Sequence, residues 1–564
     1  MNAGNHPGSA GPLAAFFGKV QNHPADIAMV QPLGAGKLQE FTRAQMGEQV
    51  LRMAHHLRSL GLPPGSHVAL MSKNCAEWIL ADLAIWAAGH VSVPLYPNLT
   101  STTVRQILEH SESRLLFVGK LDTWDEARRG VPDSMPKIAL SLAPDRAISD
   151  YPCWADVVAG ASTLDPADIA RPGAEDLATI IYTSGTTGVP KGVMHNFGTL
   201  TLMGERLPGV YDISHRDRMI SYLPLSHVAE RVAVELSMLY VGQKVFFAES
   251  LDTFAEDIRR ARPTLFFAVP RIWTKFYQQA SQTLPPRKLD MLLKIPLLNR
   301  VVRKKIREAM GLDQCRIALS GASALSPEVM EWFRRIGLEI LEVYGMTENM
   351  AWSHATRAGD QRIGWVGSSH EGVECRIAEN GEILVRSLAN MVGYYKDPEK
   401  TREDLTDDGW LHTGDKGEID AHGRLKIVGR VKEIFKTEKG KYVAPAPIEG
   451  RFAAFPGIDQ ACVMGSNLPQ PLVLVCLPAE ALAQLADDQA REEYSGTLAD
   501  LLAQVNSELD AHERLAALVV VKESWSVENN LLTPTLKLKR NELEALYGSR
   551  VANWASQGGV VWES

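Results

Sequence analysis

Apolar and polar positions change period several times along the chain, and each change predicts an element. Residues 43–60 (RAQMGEQVLRMAHHLRSL) place apolar side chains three and four apart, which predicts an amphipathic helix ending at a Gly-Leu-Pro-Pro-Gly turn. Residues 68–71, 91–95 and 115–118 are short continuous apolar runs, and residues 78–88 and 104–110 between them read as helices. Buried strands alternating with helices predict βαβ units and a parallel sheet. The same alternation predicts strands at 244–247, 265–269, 316–320 and 339–343. From 363 to about 428 the texture becomes short strands and tight turns, an antiparallel β region. A mixed α/β stretch follows, long enough for a small domain. The expected fold class is α/β: a large N-terminal domain of stacked α/β sheets with a β-rich subdomain, then a small α+β C-terminal domain.

Composition narrows the class without naming a function. The chain has 564 residues, room for roughly four domain-sized units. Its 45% hydrophobic and 22% charged residues exclude a disordered or collagen-like chain. A net charge of −8 argues against a general nucleic-acid binder. The six cysteines include no CxxC pair and no Cys/His cluster with zinc spacing, which fits reduced thiols in a cytoplasmic protein. The first twenty residues lack the charged-then-apolar pattern of a secretion signal. The nearest approach to a membrane span, residues 76–95, is broken by Glu77, Asp82 and His90. A soluble, intracellular chain is expected.

The strongest local signal is YTSGTTGVPKG, Tyr182 to Gly192, after the apolar run 177–181. Small residues and hydroxyls let a backbone loop approach an anion, and a lysine adds a point charge, so the segment suits polyphosphate. A Gly/Thr surface turn is the competing reading of such a loop. The Walker A pattern GxxxxGK[ST] is absent.

The full string resembles the phosphate loop of the adenylate-forming superfamily, which includes acyl-CoA synthetases, luciferases and peptide-synthetase adenylation domains. Further signatures follow in the family's order: LPLSH (223–227), SGAS (320–323), YGMTE (344–348), GWLHTGD (409–415), GRVKE (429–433) and LTPTLKLKR (532–540). The Thr-Leu before Lys537 and the segment GKYVAP (440–445) resemble the long-chain fatty acyl-CoA synthetases; Ala446 departs from them, where glutamate is expected.

The resemblance implies ATP-dependent activation of a fatty acid to acyl-AMP with release of pyrophosphate, then transfer to CoA. It places Thr183, Ser184, Gly185, Thr186, Thr187, Gly188 and Lys191 around the phosphates. Thr347 would bond the α-phosphate and Glu348 would hold Mg²⁺. Gly321, Ala322 and Ser323 would border adenine, Tyr344 would lie flat on it, and Gly345 and Met346 continue that motif. Asp415 and Arg430 would take the ribose, and His227 would stand beside the acyl carboxylate as a gate. Lys537 is the candidate catalytic cation of adenylation, with Lys539 two residues on as its rival. Lys432 would be the hinge, and Gly440 would border the CoA tunnel once the C-terminal domain has rotated. The implied division is 1–429, with its β-rich part at about 363–428, and a mobile 430–564 with a hinge near 430–433. ATP, Mg²⁺ and CoA are the implied cofactors and co-substrate, and no nucleic-acid partner is expected.

Other readings stay beside this one: a ligase loading a carrier protein in place of CoA, a ligase for medium-chain or aromatic acids, and a non-catalytic nucleotide-binding protein. Residues 287–307 add a separate feature, with eight Lys/Arg and one acid, Asp290, interleaved with aliphatic residues and divided by Pro296. Such a segment fits an interfacial helix on an anionic membrane face, a solvated cationic face, or a lure for anionic nucleotide.

Overall fold

The computed structural model describes residues 11–184, 190–485, 488–527, 529–533 and 537–563. Its strands fall where the apolar runs lie. Val91–Leu95, His67–Met71, Leu115–Val118 and Lys137–Ala139 run parallel in one sheet. That sheet continues through Leu177–Ser184 to the antiparallel pair Pro190–Asn196 and Gly393–Tyr394. The helix Arg43–Ser59 starts on a capping box between Thr42 and Gln45. It buries Met46, Val50, Met53, Ala54 and Leu57, the stripe its periodicity predicts. At about 1.5–3 kcal/mol for each large apolar side chain removed from water, that stripe and not helix propensity holds the element in place.

Ala76–Ala87 is buried on nearly every side, which explains the near-membrane hydropathy of residues 76–95. Its one ionisable residue within the core, Asp82, is fully buried and pairs with Arg231, which also bonds Glu235 at 3.1 Å. The Arg231 guanidinium lies 5.2 Å from the Trp86 ring centre. One cation between two buried carboxylates leaves Glu235 pushed well above the usual carboxylate range, chiefly by burial.

A second sheet has the order Leu265–Ala268, Ile317–Ser320, Ile340–Tyr344, His354–Ala355, Gly367–Ser369, Arg424–Arg430, Trp410–Ile419, Glu382–Arg386, Glu374–Ile377. Its first three strands are parallel and the rest antiparallel. The antiparallel strands between 363 and 428 therefore extend a mixed sheet and do not close one of their own; the two-residue strand His354–Ala355 makes the join. A third, four-stranded sheet packs Ile27–Pro32 between Leu38–Thr42 and Lys244–Phe247.

The C-terminal part has its own sheet, Gln460–Met464, Leu472–Cys476, Ala517–Val520 and Gly559–Trp562, with separate apolar clusters on its two faces. Several contacts set its position against the rest, among them three near residues 454–459. Arg271 Nη2 lies 2.6 Å from Asp459 Oδ1, Gln278 donates to the Phe455 carbonyl at 3.3 Å, and Ala454 packs in the cluster around Trp273 and Phe276. The two parts meet where Lys537 comes within electrostatic reach of His227, Arg430, Asp415 and Glu348, and that meeting place is the cleft.

Candidate active site in the cleft

The strand Ile340–Tyr344 delivers Tyr344 to the cleft, and Gly345 lets the chain turn sharply behind it. A Cβ at Gly345 would meet the Ala351 backbone at 2.4 Å, so no larger residue fits. Tyr344 donates its hydroxyl hydrogen to Asp415 Oδ2 at 2.7 Å. Asp415 Oδ1 accepts from Arg430 Nε at 2.9 Å across the pair Trp410–Ile419 and Arg424–Arg430, where the two residues are register partners. Each carboxylate oxygen can accept twice, so two acceptor positions of Asp415 remain for vicinal hydroxyls. Asp415 is buried, whereas Arg430 opens to the cleft. Burial raises the Asp415 carboxyl and Arg430 opposes that rise.

Next to Tyr344, the strand Ile317–Ser320 ends in Gly321, and Ala322 and Ser323 are exposed at the cleft. A Cβ at Gly321 would meet Val343 Cγ2 at 2.7 Å. Ala322 holds a left-handed backbone at φ 70°, a strained conformation for a residue with a Cβ.

Thr347–Asn349 is a single helical turn fixed from three sides. His195 Nε2 donates to the Thr347 carbonyl at 2.7 Å, Met391 N–H to the Glu348 carbonyl at 2.7 Å, and Met346 N–H to Asn349 Oδ1 at 2.8 Å. Burial holds His195 neutral, down to about 4, so Nε2 carries its proton for that bond. Glu348 Oε1 accepts from the Tyr394 hydroxyl at 2.9 Å. Burial lifts the Glu348 carboxyl above its ordinary value.

Lys191 is the register partner of Thr183, and its ammonium lies 5.4 Å from the centre of the Tyr394 ring. Ser184 ends the strand; Gly185, Thr186, Thr187 and Gly188 lie outside the described residues.

Lys537 reaches the cleft from the C-terminal part. Its N–H is held by Thr533 Oγ1 at 3.0 Å, and Leu532 and Leu538 form an antiparallel bridge. Its side chain keeps an opening to solvent, but the cleft walls crowd it. That desolvation, with Arg430 second, pushes the ammonium below the usual lysine range, while Asp415, Glu433 and Glu348 pull it back up. The charge of Lys537 also reaches His227 on the facing wall. Burial first, then Lys537, holds that imidazole down to about 4. His227 Nδ1 accepts from the Ala229 N–H at 3.2 Å, capping a short turn. Lys539, the rival, is drawn aside to Asn530 Oδ1 at 2.5 Å.

Tyr344, Asp415, Arg430, Glu348, Lys537 and His227 thus share one cleft. Lys432 and Gly440 do not join them. Lys432 is exposed on the turn after Arg430. Gly440, φ 72°, sits on an exposed turn with nothing within 4 Å of the place a Cβ would take. Ala446 is exposed and offers no polar contact; a turn further along its helix, Glu449 bonds Arg540 at 2.5 Å, and Arg540 also bonds Glu433 at 3.0 Å. Sequence reasoning missed Arg540, Tyr394 and His195, because each acts on a motif residue distant along the chain.

No group of three His, Cys, Asp or Glu side chains is placed to hold a metal among the described residues. A single carboxylate, Glu348, faces the cleft at the turn. That donor set fits Mg²⁺, which binds through one or two carboxylates and takes its other oxygens from phosphates and water.

Residues 16–395 match the family model described as AMP-binding enzyme, and residues 433–555 match the AMP-binding enzyme C-terminal domain. The chain belongs to the AMP-binding enzyme family. Over 568 residues it is 32% identical to a protein of Arabidopsis thaliana named long chain acyl-CoA synthetase 6, peroxisomal, covering 90% of this chain and 80% of that one. It is 30% identical over 586 residues to a long-chain-fatty-acid–CoA ligase of Mycobacterium bovis, covering 95% and 97%. Among solved structures, the adenylation domain of a carboxylate reductase from Mycobacterium chelonae superposes with a TM-score of 0.82 at 22% identity, covering 98% of this chain and 92% of that one.

Proposed function

We propose that this chain is an AMP-forming fatty acid–CoA ligase acting on long-chain acids. The observation that carries the reading is the convergence of Lys537 with Tyr344, Asp415, Arg430, Glu348 and His227 in one cleft. Relatives about 30% identical over most of the chain, named as long-chain acyl-CoA synthetases, support the substrate class.

In the first half-reaction the acid's carboxylate oxygen attacks the α-phosphorus of ATP. The acyl–phosphate bond forms, the α–β bridge breaks, and pyrophosphate leaves. The carboxylate is ionised at neutral pH, so no general base is required. The chain's task is to bring anions together and neutralise them. Asp415 and Arg430 hold the ribose, Tyr344 covers the base, and Lys191 and the phosphate loop take the leaving phosphates. The Lys537 ammonium bridges attacking carboxylate and α-phosphate. Neutral His227 borders the acyl carboxylate without adding a competing charge. Magnesium, when bound, neutralises phosphate oxygens, and Glu348 is the side chain that would hold it. In the second half-reaction the CoA sulfur attacks the acyl carbon and AMP departs.

The proposed division is 1–429 and 430–564, with Lys432 in the hinge at 430–433. Lys537 inside the cleft and Gly440 outside it support reading this arrangement as the adenylating orientation. Rotation about Lys432 would withdraw Lys537 and bring Gly440 to the thiol's path.

We also propose a peripheral contact with an anionic membrane on the cytoplasmic side. The helices Pro286–Leu293 and Leu298–Ala309 form a hairpin whose tip exposes Met291 (59%), Leu297 (77%) and Val301 (50%). Arg287, Lys288, Lys294, Arg300, Lys304 and Lys305 are exposed around them. Leu289, Leu293, Val302 and Ile306 face the core, so the outward apolar residues are surplus to packing. No helix among the described residues is long and apolar enough to cross a membrane.

The test of the enzymatic reading is pyrophosphate release with acids of graded length, with and without CoA. Release peaking at long chains, with acyl-CoA as product, supports it. Transfer to a carrier's phosphopantetheine arm and not to CoA would replace it with the carrier-loading reading.

A further inference from the structure

Tyr394 touches two parts of the cleft that no motif connects. Its hydroxyl lies 2.9 Å from Glu348 Oε1 and 3.0 Å from Asp404 Oδ2, and its ring lies 5.4 Å from the Lys191 ammonium. A phenol has one hydrogen to donate and here meets two carboxylates. Asp404 is already offset by Lys400, whose ammonium lies 2.7 Å away. Among the described residues Glu348 has no such side-chain cation in contact, so it is the stronger acceptor and draws the phenolic hydrogen.

The backbone around Tyr394 is stitched to both parts as well. Gly393–Tyr394 pairs antiparallel with Pro190–Asn196, Tyr394 opposite Val193 and Gly393 opposite Met194. Tyr395 N–H donates to the Gly192 carbonyl at 2.8 Å, beside Lys191, and Met391 N–H donates to the Glu348 carbonyl at 2.7 Å. The segment 391–395 is thus a short splint, bonded at one end to the strand that carries Lys191 and at the other to the turn that carries Glu348.

We infer that Tyr394 is a positioning residue that sets the Glu348 carboxylate and the Lys191 ammonium in fixed relation, so that magnesium and the terminal phosphates of ATP bind as one unit. The hydroxyl orients Glu348 by engaging Oε1, leaving Oε2 as the oxygen that would be offered to a bound metal ion. The ring face steers the flexible lysine by cation–π attraction without consuming its donors. The inference rests on the assignment of Glu348 and Lys191 made under the proposed function, and it adds a residue that touches neither metal nor phosphate.

The two contacts separate by substitution. Tyr394→Phe keeps the ring under Lys191 and removes the hydroxyl. Tyr394→Leu removes both. Calorimetric titration of ATP binding at a series of Mg²⁺ concentrations reads the effect without turnover. For Tyr394→Phe, the Mg²⁺ concentration giving half-maximal ATP affinity should rise by roughly ten- to a hundredfold, the loss expected for one hydrogen bond to a charged group. ATP affinity without Mg²⁺ should stay within about twofold. Tyr394→Leu should show the same magnesium shift and, in addition, about threefold weaker metal-free ATP binding. Thermal melting of both variants near the wild-type temperature keeps the comparison clean. An unchanged magnesium requirement in Tyr394→Phe would overturn the inference, as would equal metal-free affinities for the two variants. The titration needs no acyl substrate, so failure to find any activated acid leaves its outcome readable and counts against the ligase reading alone.

Discussion

Tyr344 donates its hydroxyl hydrogen to Asp415 Oδ2 across 2.7 Å, which locks the aromatic ring and the buried carboxylate into one unit. Tyr344→Phe keeps the ring and removes the bond to Oδ2, leaving the Asp415 carboxylate held by Arg430 alone among the described residues. A hydrogen bond to a charged acceptor contributes about 1.5–3 kcal/mol, so KM for ATP should rise by at least about tenfold. The maximal rate should change little, because the ribose contact is made in ground and transition states alike. Steady-state kinetics in ATP checks this; a fall in kcat at unchanged KM would place Tyr344 in the chemical step.

His227, held down to about 4 by burial and by Lys537, is neutral throughout the working range. Adenylation should therefore show no acid limb near the ordinary histidine value of 6.5. Lys537 lies below its ordinary 10.5, so the rate should fall on the alkaline side earlier than for an unperturbed lysine. Lys537→Arg should flatten that alkaline limb at a reduced maximum. A pH profile of pyrophosphate release at saturating substrates measures both.

Glu342 is buried in the strand Ile340–Tyr344, with the Leu325 N–H at 3.5 Å, and burial pushes its carboxyl up to about 7 from 4.5. A raised carboxyl binds its proton more tightly in the folded chain than in the unfolded one. Stability from this group is therefore full below about 4.5 and declines as pH rises towards 7. Glu342→Gln removes the proton requirement, so its stability relative to wild type should improve between pH 5 and pH 8, by an amount on the order of 2–3 kcal/mol. Denaturant melts at the two pH values check the sign; a constant difference would contradict it.

The hairpin of residues 286–309 should bind vesicles rich in anionic lipid and release them in high salt. Arg303 leans back on the protein, its Cδ 3.8 Å from the place a Cβ of Gly337 would take, so the outward set on this helix is Arg300, Lys304 and Lys305. Reversing these three to glutamate should weaken co-sedimentation at least about tenfold, at about 1 kcal/mol per cation near such a surface. Unchanged sedimentation would remove the membrane contact from the account.

The residues legible in the sequence are those that would meet a ligand directly. Asp415, Arg430, Tyr344 and Glu348 stand in compact strings whose chemistry shows in their side chains. What was not legible works through pairs distant in sequence. His195 serves the carbonyl of Thr347, Tyr394 serves Glu348, and Arg540 joins the last motif to Glu433 and Glu449. Nothing in a strand such as PKGVMHN marks its histidine as a backbone donor. The parallel strands were legible because continuous apolar runs flanked by helices admit few alternatives. The mixed sheet was not, because its join, His354–Ala355, is two residues long and carries no period. Glu342 lies within the strand predicted at 339–343, and nothing in that run marks its carboxyl as buried; only the strands packed around it reveal the burial.

The two half-reactions of Lys537→Ala test the central claim most directly. Lys537 is brought from the far end of the chain into the field of Arg430, Asp415 and Glu348, and its rival Lys539 is tied to Asn530. Pyrophosphate release from ATP and fatty acid should fall by at least about a thousandfold, the scale of removing a preorganised charge from a transition state. Thioester formation from pre-made acyl-AMP and CoA should stay within a few fold of wild type, and Lys539→Ala should leave both steps nearly intact. Equal loss of both steps in Lys537→Ala, or retention of adenylation, would contradict the account.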